Sequence, residues 1–336
     1  MSGAARTVLG DLPGSALGRV DYHEHLFQVT PLLPGDELAD EDASAGEARL
    51  LRGSGFATMV DATPTGLGRD PAALARISAT VGLGVVATTG AHREAHHAGS
   101  WLLECPAAEL ADRFTADLTT GLPAADAPVR GSAALAPDGA PVRAGMLKAG
   151  IGYWSISAFE RRVLDAVADV HGRTGAPVTV HLEHGSAAVE VLDLLAAGGV
   201  GADAVVLAHV DRNPDPGLHA ELAARGAYLG YDGMARHRSW PDQVLLDCLV
   251  DAAGRGARDR IVLGGDVARS TRYVAYGGMP GLAYLGERFV PRLARAGGDD
   301  LVTAVLETNP QRLLARFPPE GPGHGQRTHE EQERQP

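Results

Sequence analysis

VDYHEH, residues 20–25, is an apolar, β-prone run closed by two histidines one residue apart, His23 and His25. Side chains two positions apart on a strand share a face, so both imidazoles can aim at one point. The same arrangement recurs along the chain. Lys148 stands in AGMLKAG (144–150), His181 in PVTVHLEHG (177–185), His209 in VVLAHVD (205–211) and Asp266 in IVLGGDV (261–267). Each sits at or near the end of an apolar, β-branched run. One site assembled from the ends of many strands is the arrangement of parallel barrel enzymes.

Working outward, the predicted strands fall at 19–25, 56–62, 84–90, 143–150, 177–183, 204–210, 227–232 and 260–266. Amphipathic stretches lie between them, such as DPAALARISATVG (70–82) and SAFERRVLDAVADVHGRTG (157–175), and several end in glycine, a common helix stop. Eight repeats of strand then helix predict an α/β fold, a single (β/α)8 TIM barrel over residues 1–317. Two segments break the rhythm. Residues 121–142, rich in Pro, Ala and Gly, read as a flexible insertion before the fourth strand. Residues 318–336 carry no large apolar side chain and read as a disordered tail.

The 336 residues are 45% hydrophobic, enough for a large core, and 30 basic residues against 42 acidic ones leave a charge of −12. No dense Lys/Arg block is present, which argues against nucleic acid or an anionic membrane as partner. The two cysteines, Cys105 and Cys248, belong to no CxxC pattern and do not suggest a disulfide framework. The first residues lack an apolar run behind a basic start, and no stretch approaches membrane-spanning length, so a soluble cytoplasmic protein is the expectation.

Imidazole and carboxylate suit zinc and similar divalent ions. A lone histidine near a strand end is more often a hydrogen-bonded structural residue, and His92, His96, His97, His171, His219 and His237 can all be of that kind. The ordered set His23, His25, Lys148, His181, His209, Asp266 is harder to dismiss. Lys148 is its odd member, since an ammonium repels a metal. Burial disfavours the charged amine, and a neutral amine reacts with carbon dioxide to give an anionic carbamate with two ligating oxygens. The alternative is a lysine paired with Asp or Glu; composition does not choose between them.

RTVLGDLPGSALGRVDYHEHLF (6–27) resembles the opening of the phosphotriesterase family of the amidohydrolase superfamily. AGMLKAG, PVTVHLEHG, LAHVDRNPD and IVLGGDVAR resemble its lysine, fifth-strand, sixth-strand and eighth-strand motifs, and TNPQRLLA (308–315) its closing helix. The resemblance covers roughly residues 6–316. It implies two divalent metal ions: one held by His23, His25 and Asp266, the other by His181 and His209, with carbamylated Lys148 and a hydroxide bridging them. Zinc is the expected metal, and manganese or cobalt would fit. The implied reaction is attack of that hydroxide on an ester-type bond, with Asp266 carrying the proton. Family members are often dimers; nothing in the sequence demands a homodimer.

Strand-end loops choose the substrate. Arg236 and Arg238 follow the seventh strand, and Arg269, Arg272, Tyr273 and Tyr276 follow the eighth. Guanidinium groups grip phosphate or carboxylate through forked hydrogen bonds, so these residues point to a small anionic substrate. YGGMPGLAYLGERFVPRL (276–293) resembles the family branch that opens sugar lactones, including phosphorylated ones. The favoured substrate is therefore a sugar lactone. The alternatives are a phosphotriesterase or carboxylesterase, or a metal-containing binding protein without turnover. Glu24 should point away from the metals, and Asp61, Asp211 and Asp232 are candidates for supporting hydrogen bonds.

Overall fold

The structure is a computed structural model, and it describes residues 3–236 and 240–318. An antiparallel hairpin, β1 (Ala4–Thr7) and β2 (Gly10–Pro13), precedes eight parallel strands. These are β3 (Val20–Glu24), β4 (Thr58–Asp61), β5 (Gly84–Gly90), β6 (Met146–Ile151), β7 (Val178–Leu182), β8 (Val205–Ala208), β9 (Tyr228–Tyr231) and β10 (Ile261–Leu263). Each pairs with the next in chain order. The ring closes where Asp266 N–H donates to His23 O at 2.9 Å. A Cβ on Gly264 would lie 2.9 Å from His23 N, so only glycine lets the first and last strands approach this closely. The predicted (β/α)8 barrel is thus observed, with all eight predicted runs carrying its strands.

The period-2 alternation of each strand divides two cores. Leu147, Ala149 and Ile151 of β6 and Val178, Val180 and Leu182 of β7 pack outward against the helices. Val20, Val60, Val86, Met146, Val206 and Val262 point inward and fill the lower barrel, plugged by Ala5 of the hairpin and by Leu17. Two residues further along the inward face of β6 comes Lys148, and His181 lies on the same inward parity of β7. The apolar lower barrel therefore sits directly beneath the polar side chains that crown it.

The helices obey ordinary end rules. In helix Ala158–Thr174, Ser157 caps the N-terminus and forms a reciprocal capping box with Glu160, and Gly175 at φ 71° ends it. Its Phe159, Val163, Leu164, Val167 and Val170 are buried, each adding roughly 1.5–3 kcal/mol by leaving water. A charged residue at Val167 would break this helix from the barrel.

Residues 121–142 differ from the expectation of an open, flexible insertion. Leu122 N–H donates to Val142 O at 2.7 Å, Ala134 N–H to Leu122 O at 2.8 Å and Val142 N–H to Ala134 O at 2.9 Å. Leu122, Ala134, Ala136 and Val142 are buried. Alanine and proline here serve close packing, and backbone hydrogen bonds replace the missing large side chains. Asp126 reaches from the insertion to Arg69 at 2.7 Å, and that guanidinium also holds Asp117 at 2.9 Å. Residues 319–336 of the predicted tail lie outside the described residues. No described helix is long and apolar enough to cross a membrane.

Candidate metal centre

The chain brings His23, His25, Lys148, His181, His209 and Asp266 to the C-terminal mouth of the barrel, all at most 6% exposed. His23 is in β3, Lys148 in β6 and His181 in β7. His25 and His209 each lie one residue past their strands, and Asp266 three past β10. His209 and Asp266 adopt left-handed backbone, φ 65° and 43°. Among the described residues, seven non-glycine residues have positive φ, and all follow β6 to β10 on this face. Strain collected on one face of a barrel is a mark of a functional site.

Each imidazole has one nitrogen committed to a supporting partner. Asp232 accepts from His23 Nδ1 at 3.1 Å and from His209 Nδ1 at 2.6 Å, and Tyr22 donates its hydroxyl to the same carboxylate. His25 Nδ1 lies 2.7 Å from Thr63 Oγ1, which gives its own proton to Phe27 O. His181 Nε2 lies 2.9 Å from Glu183 Oε2. An ionised carboxylate only accepts, and an oxygen already donating must accept, so the proton sits on each of these nitrogens. The lone pair is left on Nε2 of His23, His25 and His209, and on Nδ1 of His181. Outer partners of this kind fix the tautomer and orientation of metal-binding imidazoles.

Burial strips protons from these rings. His23 and His209 are pushed down to about 4, and His25 and His181 are also lowered, in every case chiefly by burial. Burial would raise Asp232, but the adjoining His209 and His23 prevail and hold it far below the carboxylate range. His23, His25 and Asp266 place ligand atoms within 4.8 Å of one another, as do His23, His209 and Asp232. Asp232 is the organiser of its group, because both its oxygens already receive protons from neighbours. The rings of His181 and His209 are 4.5 Å apart.

Lys148 is 1% exposed, and its ammonium nitrogen lies 3.2 Å from His23 Nε2. Among the described residues no ion pair reaches it. Burial lowers it to about 8. Asp266 divides its oxygens: Oδ1 faces His25 Nε2 at 3.5 Å and His23 Nε2 at 3.8 Å, while Oδ2 meets Arg236 at 2.5 Å and Arg212 at 3.1 Å. Burial would raise this carboxyl, but Arg236 and His23 hold it well below its ordinary range. Four neutral imidazoles with unassigned lone pairs, an ionised carboxylate and a buried lysine whose ammonium gives up its proton more readily than usual are a donor set that fits divalent cations.

A cavity of roughly 380 Å³ opens above these groups. Arg236 and Arg269 line it. Arg269 is also tethered to Asp36 at 3.1 Å. Arg272 is turned away into the protein, donating to Val267 O at 3.0 Å, and it borders a separate small void beside Glu24. Tyr276 also departs from its expected place: its hydroxyl is 2.8 Å from Ser44 Oγ and bonds the backbone of Asp40, because the loop turns back across the helix that begins at Glu41. Arg238 lies outside the described residues. Glu24 points away from the imidazoles and accepts from Val267 N–H at 3.0 Å. Sequence reasoning passed over Arg212, Glu183 and Thr63, and it set aside as structural the stacked pair His92 and His96, whose rings are 4.1 Å apart in the cavity wall. Arg212 in HVDRNPD and Glu183 in HLEHG follow ligand candidates by two or three residues, the one signal that could have found them.

Residues 3–314 match the model of the phosphotriesterase family. A phospho-furanose lactonase of Mycoplasmopsis synoviae (strain 53) is 30% identical over 334 residues, covering 93% of this chain and 91% of its own. A solved amidohydrolase from Mycoplasma synoviae superposes with a TM-score of 0.87 at 29% identity, covering 94% of this chain and 92% of its own. A lactonase from Listeria monocytogenes superposes at 0.84 with 27% identity, covering 93% and 99%.

Proposed function

The chain belongs to the phosphotriesterase family and is an ester-acting hydrolase, and from that premise we propose that it opens a sugar lactone bearing phosphate, at a centre of two divalent cations. The observation that carries this reading is the joint lining of one cavity: imidazoles and Asp266 at the floor, with Arg212, Arg236 and Arg269 above them. The phospho-furanose lactonase named among its relatives acts on a substrate of that chemistry.

His23, His25 and Asp266 would hold one cation, His181 and His209 the other, with Lys148 as a carbamate serving both. Zinc suits this donor set, and manganese or cobalt also fit. Bound there, the cations supply Lewis acidity and bring the pKa of a captured water toward neutrality. The chain's own groups do the rest. Arg212 and Arg236 keep Asp266 ionised near neutral pH, so its carboxylate accepts the proton of the attacking water. The same two arginines make it a weak base, ready to pass that proton to the alkoxide that leaves when the ring opens. Arg269, on the rim, presents a guanidinium for phosphate. A lactone ring, flat at its ester group, fits a pocket of this size, with its phosphate at the arginine side.

The test is a substrate panel with metal-reconstituted protein: phosphorylated and unphosphorylated sugar lactones, a phosphotriester and a simple carboxylic ester. The reading expects the highest kcat/KM on a phosphorylated lactone. A higher value on the triester or ester would favour those activities. Saturable binding without hydrolysis of any of them would make the chain a metal-containing binding protein.

A further inference from the structure

Beside the catalytic cavity lies a second hollow of roughly 900 Å³, built by the loops after β5, β6, β7 and β8. Arg93, Glu183 and Arg212 line both spaces, so the two share a wall. On the far side stand Tyr153 and Trp154, 61% and 64% exposed. They occupy the tip of a tight turn in which Ser155 N–H donates to Gly152 O at 3.4 Å. Trp154 has φ 45°, left-handed backbone that a bulky side chain rarely adopts. Its N–H is held by Ser186 Oγ at 3.0 Å, and that hydroxyl donates to Glu183 O at 2.8 Å. Adjoining this turn, His184 and Ala187 are also left-handed, φ 54° and 55°. The His184 ring stands edge-on to Tyr153, with centroids 5.9 Å apart. The backbone is thus strained and pinned to hold two large aromatic faces toward solvent, next to the reaction site. Core packing gains nothing from that arrangement, and strain of this kind persists where a ligand uses it.

We propose that this hollow is a subsite for a glycosyl unit attached to the lactone, an inference that rests on the lactonase reading. The lining is amphipathic. Tyr153 and Trp154 offer flat faces to the C–H side of a sugar ring, and Arg93, Glu183, Arg212 and Asn213 offer hydrogen bonds to hydroxyls. An acyl chain would strip water from the Arg93–Glu183 ion pair, 3.4 Å apart, and return no hydrogen bond. A second phosphate would meet Glu183 and Glu190, and the arginines of this lining are already paired, Arg93 with Glu183 and Arg212 with Asp266. A neutral, hydroxylated ring satisfies both faces. A simple sugar lactone occupies the catalytic cavity alone and leaves the larger hollow to water; a glycosylated one occupies both.

The experiment uses the metal-loaded full chain, with gluconolactone and cellobionolactone as probes. The expected result is a kcat/KM ratio of about tenfold in favour of cellobionolactone, collapsing toward one in Trp154→Ala and in Tyr153→Ala. A ratio near one in the parent, or a preference that survives both substitutions, overturns the proposal. A binding arm separates this from failure of the lactonase reading. Cellobionate, the opened and unreactive acid, should quench tryptophan fluorescence saturably in the parent and not in Trp154→Ala. Quenching without turnover of either lactone would sink the lactonase reading and keep the glycosyl site. Absence of quenching overturns the site whatever the turnover. Dissociation of a dimer on Trp154→Ala would also overturn it, by showing that a second copy covers these rings.

Discussion

Replacing Asp232 with asparagine perturbs the preparation of the imidazoles without replacing a proposed ligand. The carboxylate takes protons from His23 Nδ1 at 3.1 Å, His209 Nδ1 at 2.6 Å and the Tyr22 hydroxyl. Its backbone is fixed independently, since Asp232 N–H donates to Asp211 Oδ2 at 3.0 Å. An asparagine keeps the shape but has one accepting oxygen and one donating amide nitrogen. Wherever that nitrogen faces an imidazole Nδ1, the ring must accept there, and its proton moves to Nε2. That is the atom whose lone pair a metal needs. Loss of one outer partner costs roughly 10–100-fold in metal affinity, about 1.4–2.7 kcal/mol. Asp232 serves two rings, so the upper end is expected. The assay is competition of the metal-free variant against a chromophoric zinc chelator, with Tm measured in parallel. Affinity and turnover equal to the parent's, at unchanged Tm, would refute the tautomer argument.

Four further outcomes follow from the same geometry. Lys148→Ala and His209→Ala should each lose the second metal and nearly all turnover, read by metal content and lactone hydrolysis; full metal and full activity in either would remove that residue from the centre. Arg269→Ala should lower kcat/KM for a phosphorylated lactone by about tenfold or more while affecting the unphosphorylated one little, and equal losses on both would exclude a phosphate-binding role. Tyr276→Phe should leave turnover unchanged, because its hydroxyl serves Ser44 and Asp40; a large fall in kcat would place it in the reaction after all. The metal-free protein should lose stability as pH falls. Burial pushes His23, His97 and His209 from 6.5 to about 4, so between those values the unfolded chain binds protons that the folded chain does not. Chemical denaturation of the apoprotein from pH 7 to 4 checks this, and a flat profile would contradict it.

The barrel strands were legible because each is a short apolar run of strand period ending in a turn or helix signal. The inward parity of Met146 and Lys148, and of Thr179 and His181, follows from that alternation. The hairpin Ala4–Thr7 and Gly10–Pro13 was not legible: it is short, half polar, and made by pairing across a turn rather than by periodicity. The insertion at 121–142 was misjudged because proline, alanine and glycine also describe an open loop; only its backbone pairing shows that it packs. Ligand candidates could be read from residue type and place along a strand. Among their supporting partners Asp232 could be suspected from its place after a strand, but which rings it serves could not, because it meets His23 across 209 positions; Thr63, which meets His25 across 38, gave no signal. Tyr276 illustrates the opposite error. Nearness to Asp266 in sequence suggested nearness in space, and the reversal of the loop undid it.

The central claim is that six side chains drawn from five strand ends hold two cations. Elemental analysis of the purified chain, after supplementation with zinc and bicarbonate, tests it most directly. The account predicts two equivalents of divalent metal per chain, falling to one or fewer when His23 or His181 is replaced by alanine. Trace metal in the fully supplemented parent, or undiminished metal in both variants, would contradict it.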